Sequence, residues 1–297
     1  TVFTTNDARD RLRGHPRGPE RQMTRTSHHS RMSSASLAAL VLAVAIASSA
    51  GCERTSREDR LVVFAAASLR DAFTALGDDF ERAHPGVELT LNFAGTQELR
   101  TQLEHGAAAD VFASADQVHM DALVRASRAT APVVFARNEP VIVVSTEVAA
   151  TIRSLADLPS ATHIVVGTPE VPIGRYTVQL LDRASATSLG ADFRARVEAR
   201  VVSRELNVRQ VLAKVSLGEA QAGIVYRTDA QSARSQVSVV TIPSEINVTA
   251  DYPIAVVTDT AHPTLARAFV DLVLSAHGQR ALRSAGFLPP RGSPSAP

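Results

Sequence analysis

The chain has 297 residues and is 45% hydrophobic, enough to bury one large core or two ordinary ones. Lys and Arg number 31 against 30 Asp and Glu, and a formal net charge of +1 argues against binding nucleic acid through bulk electrostatics. Aromatic residues make up 4% with no Trp, which argues against base-stacking platforms and aromatic sugar sites, and one cysteine excludes an intramolecular disulfide.

Residues 1 to 30 are polar and rich in Arg, His, Thr and Ser, and Met23 or Met32 is a better start than Thr1. The run "SLAALVLAVAIASSAGC" follows Arg31 and ends at Cys52. A basic flank, a short apolar stretch and small residues form an export signal, too short for a comfortable membrane span. Ala50-Gly51-Cys52 resembles the bacterial lipoprotein signal box, in which the cysteine is lipidated. Ser49 stands where that box usually has an aliphatic residue. The alternative is an ordinary cleaved signal. Residues 53 to 60 read as a polar tether.

From Leu61 the pattern alternates strand and helix. "LVVFAA" is an apolar strand. The next helix places Leu69, Phe73, Leu76 and Phe80 on one face and stops at His84-Pro85-Gly86. "VELTLNFA" is a strand, and "TQELRTQLEHG" is a helix with Leu99 and Leu103 inward, ending at Gly106. "ADVFASA" is the third strand. "APVVFARNEPVIVVS" is an extended stretch broken at Asn138-Glu139-Pro140. The rhythm resumes with "HIVVGTP", "GRYTVQLLDRA", "RVVS", "NVRQVLAKVSLG" and "AGIVYRTDA". Two strands, "VSVVTIP" and "YPIAVVTD", precede one long final helix over "PTLARAFVDLVLSAHGQRALRSAGF". Alternation of this kind implies parallel, doubly wound sheets in an α/β protein, and the length suits two lobes.

No nucleophile elbow, phosphate-binding loop, zinc-protease motif or dinucleotide fingerprint occurs. His84, His105 and His262 are scattered, and Asp110 and Asp116 bracket the third strand without a local partner. What remains is a set of helix starts. Ser68 lies where the first strand meets its helix, with Asp71 three residues on, the spacing of a capping box. On the residues alone a helix cap is the stronger reading. The same position, at the carboxyl end of a parallel strand, also suits an anion held by free amides and a hydroxyl. Gly95-Thr96 repeats the geometry, Pro172-Ile173-Gly174 and Asn207-Val208 start two more helices, and Tyr226 ends the strand "GIVY". Without an obligatory Lys or Arg, these describe an oxyanion site made of neutral donors.

At these residues the chain resembles the ModA family, the molybdate-binding proteins of ABC importers. The resemblance rests on "VFAAASLRDAF", "LNFAGTQELRTQLEHGAAADVFASADQVHMD", "VGTPEVPIGRYTVQLL", "LNVRQVLAKVSLGEAQAGIVYRTDA", "YPIAVV" and "GFLPP". These spread over most of residues 61 to 290 in the family's order. "ADVFASAD" and "GIVYRTDA" are the most specific.

The resemblance implies a two-lobe type II periplasmic-binding-protein fold, doubly wound sheets joined by a two-strand hinge. Residues 1–60 are then leader, signal and tether, 61–138 plus 245–290 lobe I, 139–244 lobe II, and 291–297 a tail. It implies that Ser68, Thr96, Ile173, Val208 and Tyr226 hold the oxyanion through hydroxyls and backbone N–H groups, none as a direct metal ligand. Thr96 stands where the family usually has serine, and Ile173 adds bulk beside the pocket. The expected ligand is molybdate, with tungstate, and the expected partner an ABC permease in the inner membrane. No cofactor, enzymatic activity or nucleic-acid partner is expected. The protein is expected to be a monomer in the periplasm or cell envelope, anchored through Cys52 if lipidated. Alternatives are a sulfate or other oxyanion binder, an iron(III) binder, for which only Tyr176, Tyr226 and Tyr252 are available, and a regulator's effector domain.

Overall fold

The structure, a computed structural model, describes residues 60–292. The leader, the signal run, Cys52 and residues 293–297 of the tail lie outside the described residues. The strands in chain order are β1 (Arg60–Ala66), β2 (Glu88–Ala94), β3 (Val111–Ala113), β4 (Ala129–Asn138), β5 (Pro140–Ser145), β6 (Ile164–Gly167), β7 (Val201–Glu205), β8 (Ala222–Tyr226), β9 (Val237–Val240) and β10 (Ala250–Val257). The α-helices are α1 (Arg70–Ala83), α2 (Thr96–Glu104), α3 (Gln117–Arg125), α4 (Pro172–Ser185), α5 (Phe193–Glu198), α6 (Val208–Ser216), α7 (Arg227–Ser232), α8 (Pro263–Leu274) and α9 (Ala276–Ser284).

Two five-stranded sheets result, in the orders β2-β1-β3-β10-β4 and β7-β6-β8-β5-β9. In the first, β1 runs parallel to β2 and β3, while β10 is antiparallel to β3 and β4. In the second, β6 is parallel to β7 and β8, while β5 is antiparallel to β8 and β9. The architecture is the expected α/β one, but the sheets are mixed rather than wholly parallel. The strands that mix them, β5 and β10, are the two that the chain enters directly from the other sheet. The chain enters β5 across Glu139 alone, and it reaches β10 from β9 without a helix. The two crossings lie side by side, since Ala250 pairs with Asn138.

The first sheet is covered on both faces. Along β1, Leu61, Val63 and Ala65 pack in the main core, and Phe64 packs in a second cluster with Leu99, Leu103, Phe112 and Met120. That is the two-residue period of a strand buried on both sides. Leu69, Phe73, Leu76 and Phe80 are all fully buried, as their spacing predicts. The ring centroids of Phe73 lie 5.7 Å from those of both Phe135 and Phe269, locking α1 between the sheet and α8. Burying such a phenyl ring contributes roughly 1.5–3 kcal/mol.

The expected long final helix is two helices. Ser275 breaks it, with an extended ψ of 161° and a side chain that accepts from the Gly278 N–H at 3.0 Å. Helices α3, α5 and α7 were not legible in the pattern. α3 is capped by Asp116, whose carboxylate accepts from the His119 N–H at 3.0 Å.

Candidate binding site

Parallel strands leave their carboxyl ends at one edge of a sheet, and the helices that follow start there. In the first sheet the junctions after β1, β2 and β3 supply Ser68, Thr96 and Ala115; in the second, the starts of α4 and α6 supply Ile173 and Val208, and the end of β8 supplies Tyr226. All of these residues line one small cavity between the two sheets. None of the described lining residues is charged.

Ser68 does not cap a helix. Residues Ala67–Leu69 wind as a 3₁₀ turn, so α1 begins only at Arg70, with Leu69 at its cap position and no side-chain cap bond. The expected capping box with Asp71 is therefore absent. The Ser68 hydroxyl instead lies 2.9 Å from the hydroxyl of Tyr252, and both are buried. Asp71 turns outward and pairs with Arg209 at 2.6 Å.

Thr96 opens α2 and is buried. Its oxygen accepts from the Ala115 N–H at 3.3 Å, which leaves its own hydrogen for another partner. Gly95 before it has ordinary extended backbone, yet a Cβ there would stand 2.3 Å from the Leu206 carbonyl oxygen of the facing lobe. Close approach of the lobes is what requires glycine.

Ile173 is the second residue of α4, after Pro172 at the first position. Proline is favoured there because that N–H has no helical acceptor. The Ile173 side chain is fully buried. Asn207 caps α6 as its position predicts, accepting from the Gln210 N–H at 3.1 Å, and Val208 follows it. First-turn amides of both helices lack intrahelical acceptors and carry the positive end of the helix dipole.

Tyr226 closes the cavity. It is 1% exposed, and its hydroxyl is buried without a hydrogen-bond partner in the protein. Burial, with Tyr252 and Tyr176 beside it, pushes this hydroxyl well above the usual tyrosine range, so it stays a neutral donor. Tyr226 lies between the other two tyrosines, with ring centroids 5.8 Å from Tyr252 and 6.5 Å from Tyr176. Burial raises those two hydroxyls as well. The three tyrosines therefore cluster, but as packed neutral rings. Among the described residues no group of three or more His, Cys, Asp or Glu side chains is placed to hold a metal ion.

A family model for bacterial extracellular solute-binding proteins matches residues 61–288. The chain is 43% identical over 232 residues to the molybdate-binding protein ModA of Mycobacterium tuberculosis, covering 77% of this chain and 85% of that protein. This chain belongs to the ModA family of bacterial extracellular solute-binding proteins. Among solved structures, this ModA-family protein is similar to the substrate-binding domain of a putative molybdenum ABC transporter from Clostridium difficile. That match has 26% identity, a TM-score of 0.59, and covers 78% of this chain and 99% of the other. It shares its fold with the sulfate-binding protein SubI of Mycobacterium tuberculosis, at 20% identity and a TM-score of 0.70 over 78% of this chain and 88% of that one.

In this ModA-family chain, contacts between the lobes surround the cavity. Arg175 on α4 pairs with Asp116 at the start of α3. Arg209 on α6 bridges Asp71 at 2.6 Å and Asp229 at 2.7 Å. Gln97 donates to the Leu206 carbonyl at 2.7 Å, and His119 Nε2 lies 3.0 Å from the Glu170 carbonyl. Burial lowers the His119 pKa despite Asp116 nearby. Sequence reasoning missed these partners. Asp116 and Arg175 are 59 positions apart, and only the helix starts, one in each lobe, bring them together. The arginines were visible one and two residues after Val208 and Ile173, and that offset was the available signal.

Proposed function

We propose that this protein captures molybdate, and tungstate with it, between its two lobes and delivers it to an ABC permease of the cell envelope. The observation that carries the reading is the Tyr226 hydroxyl. It is a buried donor without a protein partner, facing a cavity that offers hydroxyls and helix-start amides and no charged lining residue. An unpaired buried donor costs about 1–3 kcal/mol, and an anion bound there removes that cost. Ser68 and Thr96 add hydroxyls, and Ile173 and Val208 add first-turn amides.

The donor chemistry fits a fully deprotonated dianion. Molybdate, tungstate and sulfate accept at every oxygen at neutral pH. Hydrogen phosphate keeps a proton that needs an acceptor, and an unmatched group of that kind costs about 1–3 kcal/mol. Size then separates molybdate from the smaller sulfate. Each hydrogen bond to the charged ligand is worth about 1.5–3 kcal/mol, so several support tight binding without a salt bridge. The family's relatives named for molybdate favour it over sulfate. The match to extracellular solute-binding proteins also favours an exported protein, freely soluble or held through Cys52.

Calorimetric titration with molybdate, tungstate, sulfate and phosphate tests this. Molybdate and tungstate are expected to bind tightly, sulfate and phosphate weakly, and Ser68→Ala to weaken molybdate by at least about tenfold. Preferential sulfate binding, or no binding of any of the four, overturns the assignment.

A further inference from the structure

The Ser68 hydroxyl can face the cavity in two ways, as a donor or as an acceptor, and its partners decide which. Tyr252 does not line the cavity. It is fully buried on β10, and its hydroxyl has two polar neighbours, Ser68 Oγ at 2.9 Å and Asn138 Nδ2 at 3.5 Å. The Asn138 amide is oriented without ambiguity. Its Oδ1 accepts from the Glu139 N–H at 3.0 Å, and its Nδ2 donates to Thr228 Oγ1 at 2.8 Å. The group facing Tyr252 is therefore an NH₂, which only donates. The Tyr252 oxygen receives that hydrogen, and its own hydrogen then has one acceptor in reach, Ser68 Oγ. A Tyr252 hydroxyl turned the other way leaves a buried donor unsatisfied.

From this chain of hydrogen bonds we infer that Tyr252 is a positioning residue that points the Ser68 hydrogen into the cavity, and that this fixed direction disfavours oxyanions carrying a proton. The inference rests on Ser68 being a ligand donor, as proposed above. Asn138 sets the direction at one end, where the chain crosses between the sheets, and Ser68 delivers it at the other. Thr96 is held the same way by the Ala115 N–H. With each hydroxyl oxygen accepting from the protein, its hydrogen is left to point at the ligand, and a ligand P–OH meets that hydrogen first.

The test is Tyr252→Phe, which keeps the ring packed against Tyr226 at 5.8 Å and Phe287 at 5.3 Å. Wild type and variant are titrated with molybdate and with phosphate at neutral pH. Molybdate affinity is expected to fall about tenfold while phosphate affinity holds or rises, so the ratio contracts at least about tenfold. A merely structural role weakens both anions in parallel, and that result, or an unchanged ratio, overturns the inference. In the Ser68→Ala background, Tyr252→Phe is expected to change molybdate affinity by less than about twofold, because its effect passes through Ser68. An additive further loss also overturns it. If wild type binds molybdate and Tyr252→Phe behaves like wild type, this inference alone fails. If wild type binds none, the assignment of the site fails and this inference with it.

Discussion

Tyr226→Phe separates the two energies held by one hydroxyl. In the free protein that hydroxyl is buried with no protein partner, so removing it breaks no internal hydrogen bond. The ring contacts to Tyr252 and Tyr176 remain. The free protein is thus expected to keep its stability or gain up to about 1–3 kcal/mol, the cost of an unsatisfied buried donor. The complex loses one charge-assisted bond worth about 1.5–3 kcal/mol, so the molybdate Kd should rise about 10- to 150-fold. Paired thermal melts without ligand and calorimetric titrations read both numbers on the same sample. Stability and affinity should move in opposite directions. A variant that binds molybdate like wild type, or one whose ligand-free melting temperature drops by several degrees, refutes the assignment of Tyr226 as a ligand donor.

Other perturbations follow from the surroundings of the cavity. Arg175→Ala leaves the Asp116 carboxylate, 2% exposed, without its cation across the cleft. It should raise the molybdate Kd about tenfold, mostly through faster release, measured by stopped-flow dissociation. Gly174→Ala drives a Cβ to 2.0 Å from the Thr168 carbonyl oxygen. The start of α4 must move, and a loss of about 2 kcal/mol or more in urea unfolding, together with loss of binding, is expected. Burial pushes the Asp229 carboxyl from an ordinary 3.8 up to about 6, with the Arg209 guanidinium opposing it. A raised carboxyl favours folding while it is protonated, so its contribution is whole below about pH 4 and is lost as pH rises toward 6. The rise is worth about 3 kcal/mol at most. Unfolding free energies of wild type should fall across that window relative to Asp229→Asn, and parallel pH profiles would contradict the argument.

Much of this molecule was legible because its signals are local. The inward faces of α1 and α6 repeat at helical spacing, and Leu69, Phe73, Val208 and Val211 are buried where that spacing puts them. The five residues that line the cavity from both lobes were readable as a group because each sits where a strand ends or a helix begins. Ser68 shows the limit. A serine with an acidic residue three positions on reads as a capping box, but its hydroxyl pairs with Tyr252, 184 positions away. The antiparallel placing of β5 and β10 was hidden for the same reason, since strand direction follows from which sheet the chain is entering. Ser275 was a cap inside an unbroken apolar period, and the period masked it.

The place of β10 bears on the order in which the protein takes shape. β10 stands between β3 and β4, so the first sheet stays split into a three-strand piece and a lone β4 until residues 250–257 have emerged. The second sheet draws all its strands from residues 140–240 and waits for nothing downstream. The lobe nearest the N-terminus is therefore expected to finish last, its interior face open while the later lobe is already packed. Pulse-labelled hydrogen exchange during refolding of the whole chain should protect β5, β6 and β8 before β4 and β10, and the reverse order would refute this. A chain built this way keeps one sheet incomplete until nearly all of its length is available to fold.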